Sequence, residues 1–296
     1  MTKQTENTEI EDLIRKQINL PSPPAIAVKI LKVVQEPEFS LNDLEKILSA
    51  DPALVSKLLR VANSAVYSLP NKIGNINRAL SILGTNLVKN IALSFIIAEE
   101  LRGRTDSSFD FNYFWRRSVT AAVAAELVMG LTGKKDANIF VTGLLQDIGV
   151  LVLHLTKGKE YDDVLRQSII RGDIQINTSE RQHFRYDHQQ VGSMLLQNWG
   201  LPESVTAPTR FHHGPEHAPT DHRQTALVLQ VANMLSAICN GRASTSLLLD
   251  IKEKMATSLG IAPERSHELL DDVARKTIDI LEIFEIDPGQ IKPYSL

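Results

Sequence analysis

A short apolar segment of the chain, residues 143–149, carries one half of a metal-binding pair. Gln146 and Asp147 stand there side by side, with apolar residues before and after them. A His-Asp pair in this setting would offer an imidazole nitrogen and a carboxylate oxygen to a divalent cation, whereas the neutral amide of Gln146 is a poor ligand beside either group. Whether other residues complete a metal site therefore decides whether this protein is an enzyme.

Composition limits the setting in which such a site would work. The chain has 296 residues, of which 43% are hydrophobic and 23% charged, as is typical of a globular protein with one large or two smaller domains. The N-terminus is polar, and no run approaches the ~18 apolar residues that a membrane span needs, so we expect a cytoplasmic protein without membrane contact. The net charge of -3 argues against a general polyanion binder, and the single Cys239 is expected to be a small buried residue.

The spacing of apolar residues predicts helices almost throughout the chain. Ser40 and Asp51 are good N-caps, and Pro52 suits the first position of the helix that Asp51 opens. Asp110 is expected to cap a helix that extends to Met129, and no segment shows the period-2 alternation of a convincing strand. We therefore predict an all-α protein. Residues 21–24 are a rigid, proline-rich start, and further helices are predicted over 26–34, 75–83, 86–102, 161–171, 178–199, 202–213, 223–240, 246–259 and 262–285, with one more that begins at Asp136 and carries Gln146 and Asp147.

Two sets of spaced motifs follow one another along the chain. The first set is Leu20-Pro21-x-x-Pro24, Asp51-Pro52-Ala53-Leu54, Leu59-Arg60-Val61-Ala62-Asn63-Ser64-Ala65 and Ala79-Leu80-x-x-Leu83-Gly84. The second set is Phe114-Trp115-Arg116-Arg117-Ser118, Gly143-Leu144-Leu145-x-Asp147-Ile148-Gly149, Glu180, His188-x-x-Val191-Gly192, Trp199-x-Leu201-Pro202 and His212-His213. In this order the motifs resemble the HDOD family, the HD-related output domain of bacterial signalling proteins, over residues 19–218.

The resemblance implies a division of the chain into four parts. Residues 1–18 would form an N-terminal helix or tail, residues 19–105 a helical subdomain and residues 110–218 an HD-like bundle. Residues 219–296 would be a helical extension packed on the HD-like part, although such an extension could also mediate dimerisation. The family-motif positions of the subdomain are Asp51, Pro52, Asn63, Ser64 and Gly84, and the Asn63 and Ser64 side chains are expected to satisfy free backbone groups at a helix end.

The family is related to HD phosphohydrolases, in which two His, a paired Asp and a distant Asp hold a divalent metal. The resemblance places these positions at Arg117, Gln146, Asp147 and Asn233, so that only Asp147 is retained. The guanidinium of Arg117 keeps its charge near neutral pH. At ~4 Å it would repel a unit positive charge by ~4 kcal/mol at an effective dielectric of 20, and a divalent ion by twice as much. We therefore expect no metal, no cofactor and no catalytic residue.

Arg117 is expected to replace the metal as the charge partner of Asp147. Breaking a buried pair of this kind costs roughly 3–5 kcal/mol, so the pair would contribute to the fold. A shift of one residue in the helix register would instead leave Arg117 on the surface and bring Arg116 inward.

Four further polar residues match family positions and could surround Asp147 as a residual pocket. They are Glu180, His188, His212 and His213. The histidine doublet also precedes Gly214-Pro215 at a helix end, where imidazoles can cap backbone carbonyls. A structural or capping role is the leading interpretation. A non-catalytic ligand pocket and metal ligation by Asp147, His188, His212 and His213 stay open.

The resemblance implies a non-catalytic signal-transduction module that acts through contacts with protein partners. A small ligand at the degenerate HD site and a homodimer are open additions. The alternative is a divergent metal-dependent phosphohydrolase or phosphodiesterase for nucleotides or cyclic dinucleotides. DNA binding by the helix-turn-helix-like residues 40–62 is disfavoured, because the second helix presents mainly Leu and Val side chains to a partner.

Overall fold

The computed structural model describes residues 10–11, 30, 40–64, 67, 70–85, 88, 91–93, 109–170 and 176–291. Within these ranges the chain is built of helices and their connections, with no strand, and the all-α prediction is confirmed. The proline-rich start at 21–24, the predicted helix over 26–34 apart from residue 30, most of the predicted helix over 86–102, and residues 1–18 apart from 10–11 lie outside the described residues.

Three helices of the N-terminal region pack against one another: α1 (Leu41–Ser49), α2 (Pro52–Ala62) and α3 (Ile76–Leu83). The two predicted N-caps are confirmed. The hydroxyl of Ser40 and the carboxylate of Asp51 each accept hydrogen bonds from backbone N–H groups in the first turn of the helix that follows. The apolar faces of these helices are buried through Leu44, Leu48, Leu54, Leu58, Val61, Ile76 and Leu80.

The side chain of Asn63 ties the end of α2 to the segment that precedes α3. Its amide donates to the backbone carbonyls of Leu59 (2.7 Å) and Ile73 (2.9 Å), and its oxygen accepts the N–H of Ile73 (2.7 Å). The prediction that Asn63 satisfies backbone groups at a helix end is therefore confirmed. The prediction was wrong for Ser64, whose hydroxyl is buried without a hydrogen-bond partner. Gly84 ends α3 at a φ of +83°, which glycine adopts without steric strain.

Beyond residue 109 the described chain forms a larger bundle around two long helices, α4 (Phe111–Leu131) and α11 (Thr220–Cys239). Residues 118–125 of α4 are all buried and mostly small, which lets neighbouring helices approach closely. The helices between these two are α5 (Ile139–Leu145), α6 (Ile148–Lys157), α7 (Lys159–Ile170), α8 (Asn177–Phe184), α9 (His188–Asn198) and α10 (Glu203–Phe211), followed by a 3-10 turn at Pro215–His217.

Two predicted helices are each divided in two. The helix expected to carry Gln146 and Asp147 is interrupted at those residues, because α5 ends at Leu145 and α6 begins at Ile148. Asp147 is the N-cap residue of α6 but does not use its side chain to cap it, so its carboxylate is free to contact other elements. The helix expected over 178–199 is divided into α8 and α9, because Arg185 adopts a left-handed conformation (φ 69°).

Among the described residues, one segment is long and apolar enough on average to cross a membrane. It is the α5–α6 segment, Ile139–Lys157. Within this segment, 78% of the apolar window is buried inside the protein. Such burial is what a core helix of a folded domain shows.

The C-terminal helices pack on the bundle. α11 contacts α4 and α10, α12 (Thr245–Leu259) packs on α11, and α13 (Arg265–Ile283) packs on α4 and also reaches α2. Cys239, at the end of α11, is buried as predicted. α12 and α13 therefore pack on the bundle, whereas α11, which also falls in the predicted extension, is one of the two central helices of the bundle. A role of the extension in dimerisation stays a prediction.

The helices α6 and α9 cross in direct backbone contact at two glycines. A Cβ atom at Gly149 would overlap the carbonyl oxygen of His188 and lie 2.8 Å from the backbone nitrogen of Gly192. Asp147 stands two residues before Gly149, and His188 is the first residue of α9. The crossing therefore brings the carboxylate and the imidazole to the same place.

Replacing Gly149 with alanine should destabilise the fold by roughly 1–3 kcal/mol or more, because the added methyl must displace backbone rather than a flexible side chain. Urea denaturation of the purified variant measures the effect. Gly130→Ala is the matched control: this exposed helical glycine has no atom within 4 Å of an added Cβ, so the change should be neutral or stabilising by up to ~1 kcal/mol. Equal stability of the Gly149→Ala variant and the wild type would contradict the close packing described above.

Candidate functional site

Four side chains that can bind a metal or a proton meet beside the α6–α9 crossing. They are Asp147, His188, His212 and His213, and their potential ligand atoms all lie within 4.8 Å of one another. Asp147 lies between α5 and α6, His188 begins α9, and the two other histidines follow α10. The sequence predicted this set of residues as a residual pocket, and the fold brings all four together. We call them the His-Asp cluster.

A buried carboxylate orients the first of these imidazoles. Glu180, which is fully buried on α8, accepts hydrogen bonds from both the backbone N–H (2.9 Å) and Nδ1 (2.6 Å) of His188. Its second oxygen accepts the hydroxyl of Tyr161 (2.6 Å). With Nδ1 occupied, the ring of His188 presents Nε2 to Asp147 Oδ1, 3.5 Å away. Glu180, which the sequence placed in the pocket, is therefore a positioning residue behind it.

The ring of His212 is held in a similar way by backbone. Its Nδ1 lies 2.7 Å from the carbonyl oxygen of Thr209, so that Nδ1 is the donor and Nε2 carries the lone pair or a second proton. Nε2 lies 3.3 Å from Asp147 Oδ1, is buried, and has no hydrogen bond of good geometry. The predicted capping role is therefore combined with a place in the cluster, since one ring nitrogen meets a helix carbonyl and the other meets Asp147.

The charges in the cluster depend on one another. Burial alone would lower the pKa of His188, but the Glu180 carboxylate, assisted by Asp147, raises it to about 9. Burial opposes the charge on Asp147, yet the close approach of His212 and the positive charges nearby hold the pKa of Asp147 far below its ordinary value. Burial and the neighbouring imidazoles lower the pKa of His213. His188 can therefore donate from Nε2 to the neutral His213 Nε2, 3.1 Å away.

The predicted pairing of Arg117 with Asp147 was wrong. The guanidinium of Arg117 donates instead to Asn233 Oδ1 at 2.5 Å and is 3.4 Å from the Ser236 hydroxyl, while Asp147 receives the imidazoles. The physical reason is that two protonatable rings already surround the carboxylate, and α11 places a neutral acceptor directly opposite Arg117. Arg117 still acts on Asp147 through its charge, without an ion-pair contact.

The alternative helix register is excluded by the contacts of Arg116. Its Nε donates to Asn240 Oδ1 (3.2 Å), and another guanidinium nitrogen donates to the carbonyl of Asp287 (3.3 Å). Arg116 therefore faces the C-terminal segment, and Arg117 is the arginine that faces the site. Gln146 is buried, and neither atom of its amide has a hydrogen-bond partner.

A cavity of about 360 Å³ opens beside the His-Asp cluster. Asp147, His188, His213, Arg117 and Asn233 line it, so that the retained and the substituted family positions share one space. Sequence reasoning missed the other walls, although Tyr113 is four residues before Arg117 and must share its helix face. The missed lining residues that are used below are Phe109, Asp110, Tyr113, Phe114, Val150, Asp162, Leu165 and Arg242.

Three separations between donor atoms of the His-Asp cluster are close to those expected around one divalent ion. Bonds of ~2.0–2.1 Å to zinc would place neighbouring ligand atoms ~3.3–3.4 Å apart in a tetrahedron. His188 Nε2 lies 3.1 Å from His213 Nε2 and 3.5 Å from Asp147 Oδ1, and His212 Nε2 lies 3.3 Å from Asp147 Oδ1. Occupied Nδ1 atoms on His188 and His212 are typical of metal-bound imidazoles, and the unpartnered Nε2 of His212 suits a ligand atom. Metal ligation by these four residues, which the sequence left open, stays a prediction.

The substituted positions do not fit a second ion. Arg117 brings a permanent positive charge, Gln146 and Asn233 offer only neutral amides, and the Asn233 oxygen is already occupied by Arg117. The site is therefore asymmetric, with imidazole and carboxylate donors on one side and a guanidinium–amide pair on the other.

Comparison with protein families identifies the chain. The HDOD domain family matches residues 20–215, and the chain belongs to this family. An uncharacterized protein of Treponema pallidum (strain Nichols) is 26% identical over 244 residues, which are 80% of this chain and 46% of that protein. The chain thus spans about half the length of the curated relative it matches.

Solved structures share the fold. An HDOD domain protein of unknown function from Geobacter sulfurreducens has a TM-score of 0.73 at 20% identity, covering 95% of this chain and 99% of its own. A candidate phosphohydrolase from Shewanella amazonensis SB2B has a TM-score of 0.71 at 20% identity over 92% and 97% of the two chains. A candidate signal transduction protein from Marinobacter aquaeolei VT8 has a TM-score of 0.67 at 21% identity over 95% and 66%. At these identities the similarity shows the fold.

Replacing Glu180 with glutamine should lower the pKa of His188, because the amide removes the negative charge that raises this pKa to about 9. His188 holds its proton more tightly when folded. Its contribution to stability is therefore present below the unfolded pKa of 6.5 and is lost as the pH rises to about 9. At ~1.4 kcal/mol per pKa unit the loss is roughly 3 kcal/mol.

The measurement is histidine titration by NMR, together with urea denaturation between pH 6 and 9.5, on protein freed of metal with a chelator. The Glu180→Gln variant should show a flatter dependence of stability on pH. Glu216→Gln, which alters an exposed carboxylate 3.6 Å from His217, is the matched control and should leave the titration of His188 unchanged. An unaltered His188 titration in Glu180→Gln would rule out the assigned role of Glu180.

Proposed function

We propose that this protein is a regulatory module without hydrolase activity, whose state is set by a small ligand in the cavity beside the His-Asp cluster and is passed on through contacts with protein partners. Membership of the HDOD family and the signal-transduction description of one structural relative fit a regulatory module. The main support for a protein without hydrolase activity is the hydrogen bond between Arg117 and Asn233.

That hydrogen bond matters because of where it lies. In the related phosphohydrolases the resemblance assigns these two positions to metal ligands, and here they bind each other. A second divalent ion ~4 Å from the guanidinium would meet a repulsion of roughly 8 kcal/mol at an effective dielectric of 20. A two-metal mechanism, in which a pair of ions stabilises the attacking and leaving oxygens, is therefore not supported by these residues.

The other side of the site also favours binding over turnover. If Asp147, His188, His212 and His213 held zinc, four protein ligands would complete its tetrahedral shell. A structural zinc site is closed in this way, whereas a catalytic site keeps a position for water. When bound, such an ion would supply positive charge and rigidity at the floor of the cavity, and the protons of the imidazoles would be released on binding.

A second candidate function is a divergent metal-dependent phosphohydrolase, favoured by the preformed donors of the His-Asp cluster. This activity requires an ion that accepts a fifth ligand or releases one of the four. It also requires a phosphate ester in the cavity, held by the positive charge of Arg117.

Hydrolysis of 4-nitrophenyl phosphate and bis(4-nitrophenyl) phosphate, measured with Mg²⁺, Mn²⁺ or Zn²⁺, distinguishes the two functions. We expect no release of 4-nitrophenol above the metal-only blank, because the site lacks a second ion and an open metal position. Turnover that is lost in Asp147→Asn and kept in Asp272→Asn would establish the second candidate instead. Asp272, a carboxylate on α13 whose side chain is 45% exposed, serves as the matched control.

A further inference from the structure

Two guanidinium groups at the wall of the cavity have no ion-pair contact with a carboxylate in the part of the chain that the structure describes. Arg117 donates only to the neutral side chains of Asn233 and Ser236. Arg242 lies 6.0 Å from the ring centroid of Tyr113, and within the described ranges neither arginine forms an ion pair. Both side chains are half-buried, so their charges are less screened than those of surface arginines.

The carboxylates that line the same cavity are already engaged. Asp147 is shared by two imidazoles, Asp162 binds His154 Nδ1 at 2.7 Å, and Asp110 accepts the backbone N–H of Tyr113 at 2.8 Å. None of these carboxylates is in contact with either guanidinium, although Arg117 acts on Asp147 through its charge. Both guanidiniums line the cavity, where a negatively charged ligand would meet them.

Both guanidiniums line the cavity, Arg117 from α4 and Arg242 from the segment that follows α11. Tyr113 and Arg117 are one helical turn apart on α4. Arg117 donates a hydrogen bond to Asn233 of α11, and the guanidinium of Arg242 lies near the ring of Tyr113. The backbone N–H of Arg242 is bonded to the carbonyl of Ala237, which fixes it at the end of that helix. The backbone of Arg242 is therefore held by a hydrogen bond, while its guanidinium, which lines the cavity, forms no hydrogen bond to the described residues.

The remaining walls are apolar and aromatic. Phe109, Phe114, Val150 and Leu165 are among the residues that line the cavity. A cavity of about 360 Å³ is within the range of ~300–1,000 Å³ that small-molecule sites occupy. Its lining suits a ligand with one charged end and one apolar end.

We propose that this cavity binds a phosphate monoester of an aromatic compound, of the size of an aryl or nucleoside monophosphate, with the phosphate between Arg117 and Arg242. A phosphate monoester carries nearly two negative charges, which match two guanidiniums, and its oxygens accept the paired N–H groups of each. The aromatic part lies against Phe109 and Phe114. This inference rests on the proposed function in placing a ligand in the cavity, and it adds the chemical class of that ligand.

Calorimetric titration of the purified protein with adenosine 5′-monophosphate and 4-nitrophenyl phosphate tests the proposal, with adenosine and inorganic phosphate as partial ligands. Both monoesters should bind at least tenfold more tightly than adenosine and than inorganic phosphate, because each partial ligand lacks one half of the interaction. Arg242→Gln should weaken the binding of both monoesters about tenfold, a loss typical of one charge-assisted contact. Because Arg242 has no intramolecular hydrogen bond from its guanidinium among the described residues, this variant should keep the wild-type melting temperature.

The control is Arg265→Gln, which changes an exposed arginine of α13 and should leave binding unchanged. Failure of both monoesters to bind, binding of adenosine as tight as that of its monophosphate, or unchanged affinity in Arg242→Gln would each overturn the proposal. Binding accompanied by release of 4-nitrophenol would support this ligand class while contradicting the non-catalytic function. Absence of both binding and hydrolysis would reject the ligand class alone.

Discussion

The backbone contact between α6 and α9 sets the geometry of the whole site. Because Gly149 has no side chain, the start of α6 can rest on the carbonyl of His188, and the carboxylate of Asp147 then lies within 3.5 Å of that imidazole. The buried Glu180 supports the same imidazole from behind. Any residue larger than glycine at this crossing would separate the carboxylate from its partners, whatever the other residues of the cluster.

Charge compensation then divides the site into two parts. On one side, Asp147 is balanced by imidazoles, and these groups hold either protons or a single divalent ion. On the other side, Arg117 is held by the neutral Asn233, so its positive charge is left for the cavity. A hydrolase with two ions would need anionic or imidazole donors on both sides. The proposed binding role without hydrolysis rests on this asymmetry.

The long helices α4 and α11 connect the two sides of the site to the rest of the fold. Arg117 and Asn233 join them at the cavity, and Arg116 joins α4 to Asn240 and to the segment after α13. α13 in turn contacts α2 of the N-terminal region, where Arg60 lies 3.7 Å from Glu282. A ligand that bound Arg117 would therefore act on helices in contact with both parts of the molecule, as a regulatory module requires.

Local sequence was sufficient for the helical class, the caps at Ser40 and Asp51, the hydrogen bonds of Asn63 and the members of the His-Asp cluster. Caps and helix periods depend on neighbours within a few residues, and the cluster followed from motifs that other family members share. The partner of Arg117 could not be read in this way, because Asn233 is 116 residues distant and competes with Asp147 for the same guanidinium. The break at Gln146 and Asp147, and the place of Arg242 in the cavity, likewise depend on how helices cross, and crossing is set by packing among many side chains rather than by any one segment.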